Sequence, residues 1–273
     1  TEPAATKPTE TKPVETQPIE NEDPGVTPIE VLIAGEYVSE YTDDYIMLAY
    51  VTWDSVILSE ASAEAYPKLA AALETYGRED AAFADEQLQE MIPEAERMAD
   101  WMGSDFYGFS YETSCSVQRA DSSIFSARFD YYAYTGGARP YYGTTAWNLD
   151  PASGSRISLS QVITDMDQLP TVLAQAMREK YDYLDQATFD DIGSILSRYA
   201  EESYVWTLGY QGVTFYFAPS EIAPSAAGSL EATLWFNEHP ELFEEAYTQL
   251  PAGGYVIPVP ERTQVDVDLD PEK

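Results

Sequence analysis

The sequence is poor in the residues that supply most catalytic and metal-binding chemistry. Its 273 residues include one cysteine, Cys115, and one histidine, His239. A single cysteine cannot form an intramolecular disulfide or a multi-thiolate metal site. A single histidine excludes every mechanism and every metal site that requires two imidazoles. The sequence therefore predicts neither a catalytic site, nor a metal site, nor a cofactor.

Basic residues are also scarce, and no long apolar run is present. The chain has 14 Lys and Arg against 48 Asp and Glu, which gives a formal net charge of −34 at pH 7. Nucleic acids and anionic membrane surfaces attract clustered cations, so neither is expected as a partner. No run of ~18 apolar residues predicts a transmembrane segment. The charge favours a cationic partner through electrostatic steering, although acidity alone also keeps a protein soluble.

The composition that remains is typical of a folded protein. Hydrophobic residues make up 44% of the chain and aromatic residues 13%, including 21 tyrosines. Disorder requires low hydrophobicity together with high charge, so this composition predicts a packed core. The length is sufficient for about two domains of ~100–150 residues.

The first 27 residues differ from the rest and predict an extended linker. Residues 6–20 repeat the pentapeptide T-x-P-x-E three times. Regular prolines favour polyproline II, which rises ~3.1 Å per residue. We expect this linker to hold a folded module away from a bacterial membrane, with the anchoring segment removed from the N-terminus, as in a lipoprotein.

Local patterns predict an α+β fold with antiparallel sheets, helices packed against them, and two closely associated subdomains. Strand and helix patterns come in separate runs rather than in strict βαβ alternation. The expected boundaries are an N-terminal domain over residues 28–149, a C-terminal domain over 150–260 and an acidic tail over 261–273.

Several local features carry specific expectations. Pro93 interrupts a helical pattern and predicts a kink or break there. Asp190-Asp191 precedes the apolar residue Ile192 and predicts the capped start of a helix. Residues 254–259 are expected to close a sheet edge, and the tail after them is expected to fray. Cys115 lies in an alternating strand pattern and is expected to be buried.

Three stretches together identify a known arrangement. The first is Tyr134-Thr-Gly-Gly-Ala138. The second is Trp147-Asn-Leu-Asp-Pro-Ala-Ser-Gly154 followed by Ile157-Ser-Leu-Ser-Gln-Val-Ile163. The third is the run from Val213 to Gly228, VTFYFAPSEIAPSAAG. The glycines permit positive φ between strands, and the prolines end a strand and shape a loop. These motifs resemble the paired extracytoplasmic domains of unknown function 4163 and 3298. That pair is found in the ectodomain of the anti-sigma factor RsiV and before the catalytic domain of the peptidoglycan deacetylase PdaC.

The chain departs from the family pattern at two places. The family usually follows Gly-Gly-Ala with a histidine, whereas Arg139 follows Ala138 here. The third motif usually carries aromatic residues where Ser220 and Ser225 stand. The deacetylase activity found beside this domain pair belongs to a separate domain with a metal site, so the resemblance does not imply that activity here.

The resemblance and the residues together predict a binding surface on the motif loops. The expected contributors are Tyr132, Tyr134, Gly136, Gly137, Arg139, Tyr141, Tyr142, Ser220 and Glu221. Alternate residues of one strand share a face, so Tyr132 and Tyr134 form a better aromatic pair than Tyr131 and Tyr132.

The predicted function is that of a non-catalytic, extracytoplasmic binding or sensory module on the bacterial cell surface. The resemblance implies lysozyme as a ligand, and the net charge suits lysozyme or another cationic protein. The alternative is a cell-wall glycan-binding module, or a weak peptidoglycan-acting enzyme, whose tyrosines stack on sugar rings.

Overall fold

The computed structural model describes residues 26–251 and 261–263, and within them the larger sheet has six strands. Their spatial order is β5-β4-β3-β2-β1-β9. The strands are β1 (Val31–Tyr41), β2 (Met47–Leu58), β3 (Phe109–Ala120), β4 (Phe125–Tyr134), β5 (Tyr141–Leu149) and β9 (Glu261–Thr263). Three pairs are antiparallel, whereas β2–β3 and β1–β9 are parallel. The predicted α+β class is confirmed.

Two helices connect the parallel neighbours β2 and β3. A parallel pair cannot be closed by a tight turn and needs a crossover connection. Here it consists of α1 (Glu60–Ala65) and α2 (Pro67–Met102). The 36 residues of α2 span ~54 Å at 1.5 Å per residue. Its buried apolar residues pack against the sheet in two clusters, which contain Leu69 and Leu73 in the first and Ala84, Leu88, Met91, Ala95 and Ala99 in the second.

Of the kink or break predicted at Pro93, the break does not occur, because α2 continues through this residue. Proline removes the bond to the carbonyl one turn earlier and crowds that carbonyl. Met91 before the proline and Ala95 after it are both buried in one cluster with Leu48 and Phe109 of the sheet. Packing on both sides of Pro93 thus holds the helix in one piece.

The second sheet has three antiparallel strands and its own core. Its order is β6 (Val205–Leu208), β7 (Gly212–Phe217) and β8 (Leu230–Trp235). Helices α3 (Leu169–Lys180) and α4 (Gln186–Leu196) contribute their apolar faces to this core, and the short α5 (Glu245–Thr248) follows. Phe215 and Ala232 are register partners and both are fully buried, as the alternating pattern predicts.

The helix start predicted at Asp190-Asp191 is wrong, since both residues lie inside α4. The N-cap is Asp185, whose carboxylate accepts a hydrogen bond from the backbone N–H of Thr188. That backbone hydrogen bond lowers the pKa of Asp185. The helix begins earlier because burial of Phe189, which lies before the Asp pair, requires one more turn.

The two sheets meet where the open edge of β6 reaches β4 and β5. Ser126 Oγ accepts a hydrogen bond from the backbone N–H of Leu208 at 2.9 Å. Asn148 Nδ2 donates to the carbonyl oxygen of Trp206 at 2.7 Å, and Ser126 donates to Asn148 Oδ1. The buried Ser126 and Asn148 side chains thus pair an N–H and a C=O group of β6 that have no partner strand in the small sheet. Burying these backbone groups without a partner would cost free energy.

The first residues of the tail that was expected to fray form a strand instead, and the residues after Thr263 lie outside the described part of the chain. Residues Glu261–Thr263 form β9, which pairs in parallel with Leu32–Ala34 of β1. The edge strand expected over residues 254–259 lies outside the described residues. Cys115 is buried in β3 as expected. None of the helices in residues 26–251 is both long and apolar enough to cross a lipid bilayer.

Candidate binding groove

The first wall of the candidate site is the connection between β4 and β5. Gly136 and Gly137 have φ values of 81° and 105°, a region that side chains strongly disfavour. A Cβ atom on Gly136 would also lie 3.2 Å from the ring of Phe109. The two glycines therefore adopt the positive φ expected of them between the strands, and the contact with Phe109 is a second reason for glycine at Gly136.

The second wall is the loop that follows β7. Glu221 organises this loop, because its carboxylate accepts hydrogen bonds from the backbone N–H of Ala218 at 2.6 Å and from the Tyr199 hydroxyl at 2.8 Å. Ser220 adopts a positive φ of 70°. Ile222 is buried in the core of the small sheet. One carboxylate and one apolar anchor thus hold the loop in place.

The two loops face each other across an open groove of about 640 Å³. The turn between β4 and β5 supplies one side, and the loop after β7 supplies the other. The lining residues are Tyr131, Gly136, Gly137, Ala138, Arg139, Pro140, Tyr141, Tyr142, Ala218, Pro219 and Ser225. Two motifs that are far apart in the sequence therefore form one concave surface.

The groove contains five of the nine predicted site residues: Gly136, Gly137, Arg139, Tyr141 and Tyr142. Tyr132 and Tyr134 do not line it. They lie exposed on β4, where Tyr132 is the register partner of Tyr142. Ser220 and Glu221 shape the loop rather than line the groove.

Tyr131 lines the groove, although sequence reasoning ranked it below its neighbours. Its ring crosses the adjacent strand at Gly143, where an added Cβ would lie 2.5 Å from the tyrosine hydroxyl oxygen. A glycine in mid-strand beside an aromatic run is the signal that indicates this close approach. Pro140 and Pro219 also line the groove, although no sequence pattern around either proline indicates a function.

The groove is lined by three tyrosines among small residues and prolines, and it is weakly charged. Arg139 is the only Lys, Arg, Asp or Glu among its lining residues. Tyr141 is 70% exposed. Tyrosine offers a large apolar ring with a polar end, which suits recognition surfaces. None of the acidic residues that the structure describes is therefore part of the groove lining.

Comparisons with known proteins give structural relatives only. No protein-family model matches the sequence. No curated protein matches it either.

Solved structures of the DUF3298 family share the α+β architecture. A member from Bacteroides fragilis aligns with a TM-score of 0.61 at 17% identity, over 81% of this chain and 96% of its own. A DUF3298 protein from Pseudomonas aeruginosa aligns with a TM-score of 0.50 at 17% identity, over 84% of this chain and 98% of its own. At this identity the likeness shows the fold alone. It agrees with the DUF3298 part of the expected resemblance.

Proposed function

We propose that this chain is a non-catalytic, extracytoplasmic binding or sensory module that takes a cationic protein such as lysozyme into the groove. The observation that carries the proposal is the meeting of the two motif loops, with Tyr141 and Tyr142 at the surface. Exposed aromatic rings beside a concave surface are a common feature of interaction sites.

Charge and aromatic contact have separate roles in this proposal. The net charge of −34 raises the rate of encounter with a cationic protein, and salt screens it over ~8 Å at physiological ionic strength. Short-range contacts with tyrosine rings then supply affinity that persists in salt. Arg139 adds a donor for carbonyl or carboxylate groups of the partner.

The sequence of the N-terminal linker supports the proposed location at the outer surface of a bacterial membrane. The Thr/Pro/Glu repeat at residues 6–20 favours an extended chain. Such a spacer would carry the folded module away from a membrane-anchored N-terminus and present the groove to proteins that diffuse through the cell wall.

Titration calorimetry with a c-type lysozyme tests the proposal, at low and physiological salt, with an equally cationic unrelated protein as the reference. We expect saturable one-to-one binding that persists in physiological salt and exceeds the reference. Tyr141→Ala should weaken it at least ~10-fold, which is ~1.4 kcal/mol. Tyr107→Ala is the matched control, since Tyr107 is an 87% exposed tyrosine outside the groove. Binding that vanishes with salt, or an equal effect of both variants, would overturn the proposal.

The alternative function is recognition of cell-wall glycan, including weak turnover of peptidoglycan. Tyr132 and Tyr142 are cross-strand partners, and both are exposed on one face of the sheet. Paired rings of this kind can stack on successive sugars. Titration with soluble peptidoglycan fragments checks this alternative: binding that Tyr132→Ala abolishes and Tyr107→Ala preserves would favour it. Turnover that survives removal of contaminating enzymes would instead indicate an enzyme.

A further inference from the structure

A second cavity lies on the helix-covered side of the large sheet, where α2 passes over β2 to β5. Its volume is about 220 Å³. At ~30 Å³ per water in the liquid, this space could hold a small organic molecule. The lining residues are Val51, Trp53, Asp80, Phe83, Ala84, Tyr111, Thr113, Phe129, Tyr131, Thr145 and Trp147.

Aromatic rings form most of the cavity wall, and contacts with one another hold them in place. The rings of Tyr111 and Tyr131 are stacked, with an interplanar angle of 4° and centroids 6.3 Å apart. Phe83 of α2 meets Tyr111 edge to face at 5.4 Å. Phe129 and Trp147 lie 4.1 Å apart. The faces of such rings carry negative electrostatic potential, which attracts cations.

Two polar groups at this cavity lack partners within the described residues. The indole Nε1–H of Trp53 is buried without a hydrogen-bond acceptor. The half-buried carboxylate of Asp80, from α2, has no hydrogen bond or ion pair. Buried donors and carboxylates are costly unless they are paired. The Asp80 carboxylate therefore borders the aromatic space as an unpaired anion, whereas the Trp53 N–H is enclosed by protein atoms.

The pKa of Asp80 is shifted in the direction expected for a carboxylate that is half-buried without a partner. Burial, and to a smaller extent the neighbouring charge of Glu79, raises the pKa of Asp80 to about 6. From the sheet, the titratable groups that line the cavity with Asp80 are Tyr111 and Tyr131. Burial, followed by the charges of Tyr131 and Asp80, raises the pKa of Tyr111, so Tyr111 remains neutral near pH 7. The charge of Asp80 therefore changes near neutral pH, whereas that of Tyr111 does not.

We propose that this cavity binds a small organic cation, namely a primary or quaternary ammonium group. The aromatic walls would surround the cation, and the Asp80 carboxylate would neutralise it. This site is separate from the groove proposed above, although Tyr131 lines both.

Other ligand classes fit these groups less well. An anion would meet Asp80 with no cation among the lining residues to compensate it. A purely apolar ligand would leave the carboxylate unpaired, which costs free energy on binding. A cation neutralises the carboxylate and uses the ring faces.

Choline and its neutral carbon isostere dimethylbutanol are matched probes for this proposal, because they differ only in the charged centre. Trp53 and Trp147 line the cavity, so intrinsic tryptophan fluorescence of the full chain can report binding of either probe. At about pH 8 we expect saturable binding of choline at least ~10-fold tighter than of dimethylbutanol. Equal affinities, or no saturable choline signal, would overturn the proposal.

A matched pair of variants tests the role of the unpaired carboxylate. Asp80→Asn keeps the shape and removes the charge, and it should weaken choline binding at least ~10-fold while leaving dimethylbutanol unaffected. Asp85→Asn is the matched control, since Asp85 is exposed on the same helix and does not line the cavity. Equal choline affinity in the Asp80 and Asp85 variants would contradict the assigned role of Asp80.

The pH dependence gives an independent test. Choline affinity should decrease as pH falls through about 6, because protonation of Asp80 removes the charge that faces the cation. Asp80→Asn should abolish this dependence. A titration with N-acetyl-lysine methylamide then tests whether a lysine side chain of a protein can occupy the site. Lysozyme binding in the groove should be unchanged in Asp80→Asn, so the two proposals can fail separately.

Discussion

Arg119 Nε lies 2.6 Å from Asp121 Oδ2, and both side chains are completely buried. The guanidinium also donates to the carbonyl oxygens of Tyr247 and Gln249. The second oxygen of Asp121 accepts the backbone N–H of Ser123. Arg119 therefore connects the end of β3 with α5 and the residue that follows it. The hydrogen bonds of the ion pair compensate the cost of burying two charges.

Arg119→Met should be among the most destabilising single substitutions in the chain. It leaves the Asp121 carboxylate buried without its counterion, and we expect a loss of about 3–5 kcal/mol in the free energy of unfolding. Urea unfolding measures the loss. Adding Asp121→Asn should recover part of it, because the unpaired charge is removed.

Arg78→Ala is the reference for this experiment. Arg78 pairs with Glu74 on the surface of α2, where both side chains are about 70% exposed. The expected loss there is less than ~1 kcal/mol. Similar losses for Arg119→Met and Arg78→Ala would show that the buried pair has no special structural role.

Asp80→Asn should stabilise the folded chain, and more so at about pH 8 than at about pH 5. Asp80 titrates at about 6 in the folded state against an ordinary 3.8. A raised acid pKa means that the native state binds more protons, so stability falls as pH rises between these values. The amide cannot ionise and avoids this loss. Urea unfolding at both pH values, with Asp85→Asn as the control, measures the difference; a pH-independent gain would contradict it.

Gly154→Ala should destabilise the turn after β5. Gly154 has φ +71°, and an added Cβ would lie 2.5 Å from the backbone oxygen of Lys68 in α2. Movement of a side chain can relieve neither the positive φ nor the contact with a backbone oxygen. We therefore expect the free energy of unfolding to fall by at least ~1–3 kcal/mol. Thermal unfolding of the variant measures the cost.

Gly193→Ala is the matched control for Gly154→Ala, and we expect it to change stability in the opposite direction. Gly193 lies inside α4, and nothing is within 4 Å of an added Cβ. Alanine should therefore stabilise the chain by up to ~1 kcal/mol through helix propensity. Changes of the same sign at Gly154 and Gly193 would show that the two backbone environments do not differ as described.

Glu221→Ala should loosen the loop wall of the groove without unfolding the protein. It removes the acceptor for the Ala218 N–H and for the Tyr199 hydroxyl. Hydrogen exchange at the Ala218 amide should become faster, whereas exchange in β2 should be unchanged. Glu238→Ala, at an exposed position outside the groove, is the control. Unchanged exchange at Ala218 would mean that Glu221 does not organise the loop.

Several features of the fold could be predicted from the sequence because they depend on residues that are close together in the chain. Alternating apolar residues predicted β7 and β8, since Val213, Phe215 and Phe217 must face one core. The two glycines after Thr135 predicted a turn because few other residues accept positive φ.

Predictions failed where long-range packing overrides a local rule. Pro93 removes one backbone hydrogen bond from α2, but helix residues before and after it pack against the sheet. The acidic pair Asp190-Asp191 has the composition of a helix start, yet Phe189 must reach the core, so the cap moves back to Asp185.

The sequence alone determined the acidic charge, the α+β class, the glycine turn and the motif loops, because composition and short periodicity decide these. Only the tertiary structure decided which of those loops meet. It brings Tyr141 and Ser225 into one groove, and it places Trp53 and Asp80 at one cavity by laying α2 across the sheet. Contacts of that kind depend on the crossover connection and on how two sheets pack, and no local pattern of residues encodes either.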